Sequence, residues 1–169
     1  QQKIRELAGI SSQEPIFAVI WTTTPWTIPS NLAIALNSRY EYSLVSYYGD
    51  IFVIATDLVD AFVKDNEFEE KDIKIVGAVK GSDLENLRTI HPLYERYSPI
   101  ILGDHVTLDA GTGCVHTAPG HGLEDWEVCQ KYNIDVLSPL DAKGYWTEEV
   151  PDMQGIYYED GNEIVIKNL

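Results

Sequence analysis

IFAVIWTTTPWT, residues 16–27, carries two opposed instructions in twelve positions. Ile16 to Trp21 is a continuous apolar, β-branched run of the kind that fills a core strand, expected here over 15–21. It is followed by three adjacent hydroxyls, Thr22, Thr23 and Thr24, and stopped by Pro25. A chain that leaves its core this way sets polar, uncharged groups at the end of a buried strand.

Outward from that stretch, the pattern predicts further strands at 32–36, 40–47 and 50–55. A helix is expected from Asp57 to about Asn66, apolar at Leu58, Val59, Ala61, Phe62 and Val63. IKIVGAVKG at 73–81 reads as a strand. SDLENLR at 82–88 reads as a short helix, with Ser82 as cap and Glu85 completing a capping box. PIILGDHVTLDAGTGCVHTAPG, 99–120, predicts two strands joined through Gly111 and Gly113. A helix should follow from Leu123 to about Tyr132, then short β pieces to the end. Residues 1–9 read as the tail of a helix or a connector. The expected class is α+β: one domain over 1–169, with a mixed, barrel-like sheet as core and a few helices outside it.

The composition suits a folded globular chain, with 44% hydrophobic residues and 11% aromatic. No stretch reaches transmembrane length. A chain that begins at Gln1, with neither signal peptide nor initiating methionine, reads as part of something larger. Cys114 and Cys129 lack CxxC or zinc-type spacing, so free thiols in a reducing, cytoplasmic compartment are expected. A net charge of −15, from 27 acidic against 12 basic residues, excludes a general nucleic-acid binder. Phosphate contacts require Lys or Arg. Any RNA contact should be with a short end, other parts supplying the affinity.

GTGCVHTAPGHGLEDW, 111–126, is the second stretch with chemistry in it. Gly111 and Gly113 allow a tight turn or a close approach of backbone to ligand. His116 leaves a strand, Pro119 and Gly120 break it, and Asp125 falls in the first turn of the next helix, where the macrodipole favours a carboxylate. Three chemistries fit these residue types. His116, His121 and Asp125 could hold a hydrolytic zinc, although their spacing lies in a Pro-Gly loop and not on one helix face. Cys114 could be a nucleophile with His116, two residues on, as its base. Asp125 could instead face a substrate ammonium, with His116 as a wall or hydrogen-bond partner and the threonines offering hydroxyls. Each residue also has a plain structural role open to it: helix cap, core histidine, strand-end hydrogen bonding.

WTTTPWTIPSNLAI at 21–34 and GDHVTLDAGTGCVHTAPGHGLEDW at 103–126 closely resemble the inserted editing domain of isoleucyl-tRNA synthetases. The similarity also covers KGSDLENLRTIHPL at 80–93 and the DAKGYWTEE region, so it extends over nearly the whole chain. Valyl and leucyl relatives carry Thr-Thr-Arg-Pro where this chain has Thr-Thr-Thr-Pro-Trp. Where the family often continues GHG with Pro-Asp-Asp-Tyr or Glu-Asp-Asp-Tyr, this chain reads GHGLEDW. Asp125 is kept, while Glu124 and Trp126 depart. The synthetic signatures His-Ile-Gly-His and Lys-Met-Ser-Lys-Ser are absent, which implies a segment that edits without aminoacylating.

The resemblance implies hydrolysis of valine wrongly esterified to isoleucine tRNA, and of valyl-adenylate, by an oriented water. It implies no covalent intermediate, metal or cofactor. Asp125 would grip the α-ammonium, His116 would border the side-chain pocket, and Thr22, Thr23 and Thr24 would line it, with Asp125, Thr24 and His116 as the catalytic groups. Trp21 and Asn31 would complete the binding set. The implied partners are the aminoacylated 3′ end of isoleucine tRNA, valyl-adenosine-type ligands and the rest of the parent synthetase. No membrane is involved, and a monomer is expected. A module that binds an aminoacyl adenosine without turnover is the alternative from outside enzymology.

Overall fold

The computed structural model describes residues 1–169. Its first sheet is built around a hairpin. β3 (Glu41–Tyr47) and β4 (Asp50–Ala55) pair antiparallel, Tyr42 opposite Ala55 and Tyr47 opposite Asp50. Tyr48 and Gly49 connect them, both with positive φ (47° and 94°), the conformation whose twist suits a two-residue hairpin. β1 (Ile16–Ala18) adds parallel to β4, and β5 (Lys74–Lys80) adds antiparallel to β3, with a register shift at Leu44/Val45. The order is β1-β4-β3-β5. A second four-stranded sheet has the order β6-β7-β2-β8, from Arg88–Ile90, Tyr97–Leu102, Ala33–Leu36 and Val115–Thr117. The α+β class with mixed strand pairing is as expected, its strands divided between two sheets.

The chain divides into two compact units. Unit one comprises Gln1–Trp21, Ala35–Leu87 and Ile100–Val115, and unit two comprises Thr22–Ile34, Arg88–Pro99 and His116–Leu169. In unit one, Tyr42, Leu44, Val45, Ile51 and Ile54 are fully buried. Helix α2 (Val59–Asp65) buries Val59 and Val63, one turn apart on the same face. α1 (Gln2–Ala8) ends at Gly9 in the left-handed conformation (φ 67°), a common helix stop. The helical alternative for residues 1–9 is thus the one adopted. In unit two, Trp146, Met153 and Val165 are the largest fully buried side chains, and α3 (Leu123–Lys131) and α4 (Gly161–Asn168) are the helices. No helix is long and apolar enough to cross a membrane.

Four local expectations are corrected. The first strand stops at Ala18, short of Trp21. The Thr112 hydroxyl donates to the Val19 carbonyl, and Trp21 keeps only an isolated parallel pairing with Val115. The helix expected over 82–88 is a 3-10 turn, Gly81–Leu84, that starts one residue earlier from Lys80, so Ser82 is not its cap. Asn86 then turns left-handed (φ 63°), its N–H donates to Ile100, and Arg88–Ile90 pairs with β7. Strand pairing replaces the helix, and of its two leucines only Leu84 is fully buried. The second strand expected in 99–120 shrinks to Val115–Thr117, because 103–114 is a loop with Gly111 and Gly113 left-handed (φ 80° and 73°). A side chain on Gly113 would lie 2.5 Å from the Ala55 β-carbon, so this backbone must pass bare. The C-terminal β pieces are reduced to isolated pairings, Leu140 with Trp146 and Tyr145 with Tyr157, and the chain closes with α4.

Candidate functional site

Thr22 folds its own stretch: its hydroxyl accepts the Thr24 N–H at 3.0 Å, a local turn that leaves Thr23 and Thr24 exposed. Pro25 then opens a 3-10 turn, Pro25–Ser30, at a position where a missing N–H costs nothing. The turn reverses the chain and buries Thr27, Ile28, Pro29 and Ser30.

A directed chain of hydrogen bonds runs through this turn. The Asn31 amide donates to the Ala33 carbonyl at 2.8 Å, and a carbonyl can only accept. That orients the amide, so Nδ2 also donates to His116 Nδ1 (2.7 Å) and Oδ1 accepts the Ser98 hydroxyl (2.5 Å). His116 Nδ1 is therefore the acceptor, and Nε2–H donates to the Thr27 hydroxyl at 2.9 Å. The Thr27 hydroxyl in turn donates a hydrogen bond to the Thr24 carbonyl, also at 2.9 Å. The path Ser98–Asn31–His116–Thr27–Thr24 thus satisfies every buried member and ends at the threonine stretch.

His116 is 8% exposed with both ring nitrogens bonded. Burial, then the neighbouring His91 and His121, pushes its pKa down to about 4, so it is neutral at pH 7. Burial also lowers His91 to about 4 and lowers His121. These groups sit below the ordinary 6.5, so their contribution to stability is complete above that pH. It is lost as pH falls toward 4, where the unfolded chain binds protons the folded chain excludes. His116 alone contributes roughly 3 kcal/mol of this. Urea midpoints should stay flat above about pH 6.5 and drop steeply between there and about pH 4. A flat profile across that window would contradict the neutral assignment.

Asp125 stands in the first turn of α3, half-exposed, and one carboxylate oxygen accepts the Ala118 N–H at 2.8 Å. The carboxylate thereby ties the loop after His116 to the positive end of the helix. His121 is held by Ser30 (2.9 Å) and meets Trp26 edge-on at 4.9 Å. Of the residues read from sequence, Thr22, Thr23, Thr24, Asn31, His116 and Asp125 all lie in unit two. Trp21 lies in unit one, 54% exposed, outside the hydrogen-bonded path. Sequence reading missed Thr27 and Ser98. Each is one hydroxyl in an apolar run, and that faint polarity at a buried position was the only available signal.

The other chemistries fare differently. Cys114 is 2% exposed, its thiol faces the Val53 carbonyl at 3.5 Å, and burial pushes its pKa up to about 12. That is the setting of an inert core thiol. His116, His121 and Asp125 do not converge into a three-ligand cluster capable of holding a metal.

A family model described as "Leucyl-tRNA synthetase, editing domain" matches residues 21–166. The isoleucine–tRNA ligase of Thermoanaerobacter sp. (strain X514) is 51% identical over 154 residues, covering 91% of this chain and 16% of the relative. That of Caldicellulosiruptor bescii is 53% identical over 166 residues, covering 95% and 18%. The chain thus spans under a fifth of the length of these relatives. Among solved structures, the P. knowlesi cytosolic leucyl-tRNA synthetase editing domain superposes with a TM-score of 0.67 at 14% identity, over 90% of this chain and 81% of that one. A structure titled GlLeuRS-CP1 gives 0.63 at 16% identity, over 79% and 56%. At such identities the likeness is one of fold. The chain therefore belongs to the aminoacyl-tRNA synthetase editing-domain family, in the form carried by isoleucine–tRNA ligases.

Proposed function

We propose that this domain clears valine wrongly esterified to isoleucine tRNA, and acts also on valyl-adenylate, by directing a water onto the ester carbonyl. The need is energetic. One methylene distinguishes isoleucine from valine by only about 1–3 kcal/mol, a magnitude for which isoleucine-charging enzymes are themselves the usual illustration, so a second site must remove what the first admits. The observation that carries the reading is the state of His116: buried, neutral, and bonded at both nitrogens. Such an imidazole has no lone pair to spare as a base, and offers bulk at a fixed position.

The chemistry asks for little more. An aminoacyl ester is already activated, so holding the substrate and orienting a water supply most of the acceleration. Asp125 pairs with the α-ammonium through a charge-assisted hydrogen bond. Thr24, with Thr22 and Thr23, offers hydroxyls to the water and the terminal adenosine, while Asn31, its amide engaged by Ala33, His116 and Ser98, supports the pocket by orienting His116. No cofactor or covalent intermediate enters. With a net charge of −15, the domain takes only the aminoacylated end, and the rest of the parent chain holds the tRNA body.

The test is deacylation of valyl-tRNA by the synthetase that carries this segment. Saturable binding of a non-hydrolysable valyl-adenosine analogue without release of valine from the true ester would leave a binding module and end the enzymatic reading. Cys114→Ala and Cys129→Ala should each leave deacylation largely unchanged while lowering stability by about 1 kcal/mol, and chelators should not inhibit. Strong loss under either treatment would reinstate a thiol or a metal.

A further inference from the structure

The segment HPLYER, 91–96, lies outside the roles assigned so far. It folds into a small clip, closed by His91 N–H to the Arg96 carbonyl (3.0 Å) and Arg96 N–H to the Tyr94 carbonyl (2.7 Å). His91 is 3% exposed. Its Nδ1 accepts the N–H groups of Leu93 and Tyr94 at 3.1 and 3.2 Å, which leaves the proton on Nε2. That N–H donates to the Ile28 carbonyl at 2.9 Å. Arg96 donates through Nη2 to the next carbonyl, Pro29.

Two details separate this clip from ordinary packing. First, the Ile28 carbonyl also accepts the Asn31 backbone N–H at 2.9 Å, so His91 is one shared oxygen away from the residue that orients His116. Second, the arrangement is costly. Arg96 Nε is buried without a partner, and Arg96 Nη2 sits 3.2 Å from His91 Nε2, two donors side by side. A buried orphan donor and a donor–donor contact call for a compensating reason.

We propose that His91 and Arg96 are positioning residues for deacylation: by gripping the Ile28 and Pro29 carbonyls they fix the turn that sets Asn31 and Thr27 on the two nitrogens of His116. The inference rests on the editing reading, since it names what holds that site in register. Neither residue touches the substrate in this scheme.

Nitrogen NMR of histidine-labelled chain tests it without relying on activity, alongside deacylation kinetics in the parent synthetase. In the wild type, His116 should show one protonated-type and one unprotonated-type nitrogen. In Arg96→Ala these two signals should draw together as the tautomer loosens. The kcat for valyl-tRNA should fall on the order of tenfold with KM little changed, since misplacement affects the reaction more than binding. Arg96→Lys, which restores one donor toward Pro29, should recover most of both. If Arg96→Ala fails to fold, Arg96→Met, which keeps the bulk of the stem and removes the donor to the Pro29 carbonyl, takes its place with the same expectations. Wild-type His116 signals in a folded variant would overturn the proposal, as would a rate loss that only tracks the unfolded fraction. If the wild-type synthetase fails to release valine, the editing reading falls, while the nitrogen signals still decide whether the clip fixes His116.

Discussion

Asp125→Ala should abolish nearly all hydrolysis of valyl-tRNA in the parent synthetase. A hydrogen bond to a charged group contributes about 1.5–3 kcal/mol, which corresponds to roughly a ten- to hundredfold loss, and more where orientation of the ester depends on it. The structure gives this carboxylate a second duty, because it accepts the Ala118 N–H at 2.8 Å. Asparagine separates the two. Asp125→Asn can still accept from Ala118 and should keep the fold near normal, yet it cannot neutralise an ammonium and should recover little activity. Rapid clearance of valine by the alanine variant would remove Asp125 from the mechanism. Full recovery by asparagine would reduce it to a helix-loop tie.

His116→Ala should change which ester is attacked. A second sieve has to admit valine and refuse a side chain one methylene larger, and attraction alone would favour the larger one. Exclusion needs a rigid wall. His116 is tethered at Thr27 and Asn31, so it cannot swing aside. Removing the ring opens space and lets water reach isoleucyl-tRNA, so correctly charged tRNA should be lost while valine clearance persists in part. The variant also strands the Asn31 amide and the Thr27 hydroxyl, at a stability cost of about 1–3 kcal/mol per unsatisfied group, so thermal unfolding should be measured on the same preparation. Both esters must be assayed together. If isoleucyl-tRNA stays intact while valyl-tRNA is cleared as before, the threonines become the wall.

Legibility in the sequence followed the range of the interactions. Strands β3 and β4 were readable because their apolar runs and the short Tyr48-Gly49 break between them are local. α3 was readable for the same reason, behind its Pro-Gly loop. β6 was not: Arg88–Ile90 is three residues long and exists through its pairing with β7. α4 was not, because Ile164, Val165 and Ile166 read as strand. The helix is fixed by burial of Val165 and by Asn162, whose side chain takes the Trp26 N–H from 136 positions away. The site divides the same way. Thr22 to Thr24, His116 and Asp125 stand in two compact motifs, whereas Ser98, Thr27, His91 and Arg96 gain meaning only when distant segments meet.

That separation also sets an order of assembly during synthesis. Unit two is dispersed over three segments of the sequence, and Thr27 waits 89 positions for His116. As the chain leaves the ribosome, the threonine stretch emerges ahead of Ser98 and His116 and stays solvated. Asn31 and Thr27 cannot be buried at low cost until Ser98 and then His116 arrive. Closing such long loops is slow relative to forming the local hairpin of unit one. Thr22 to Thr24 are thus made well before the residues that complete their path. The hydrogen-bonded path closes late, only once His116 has emerged.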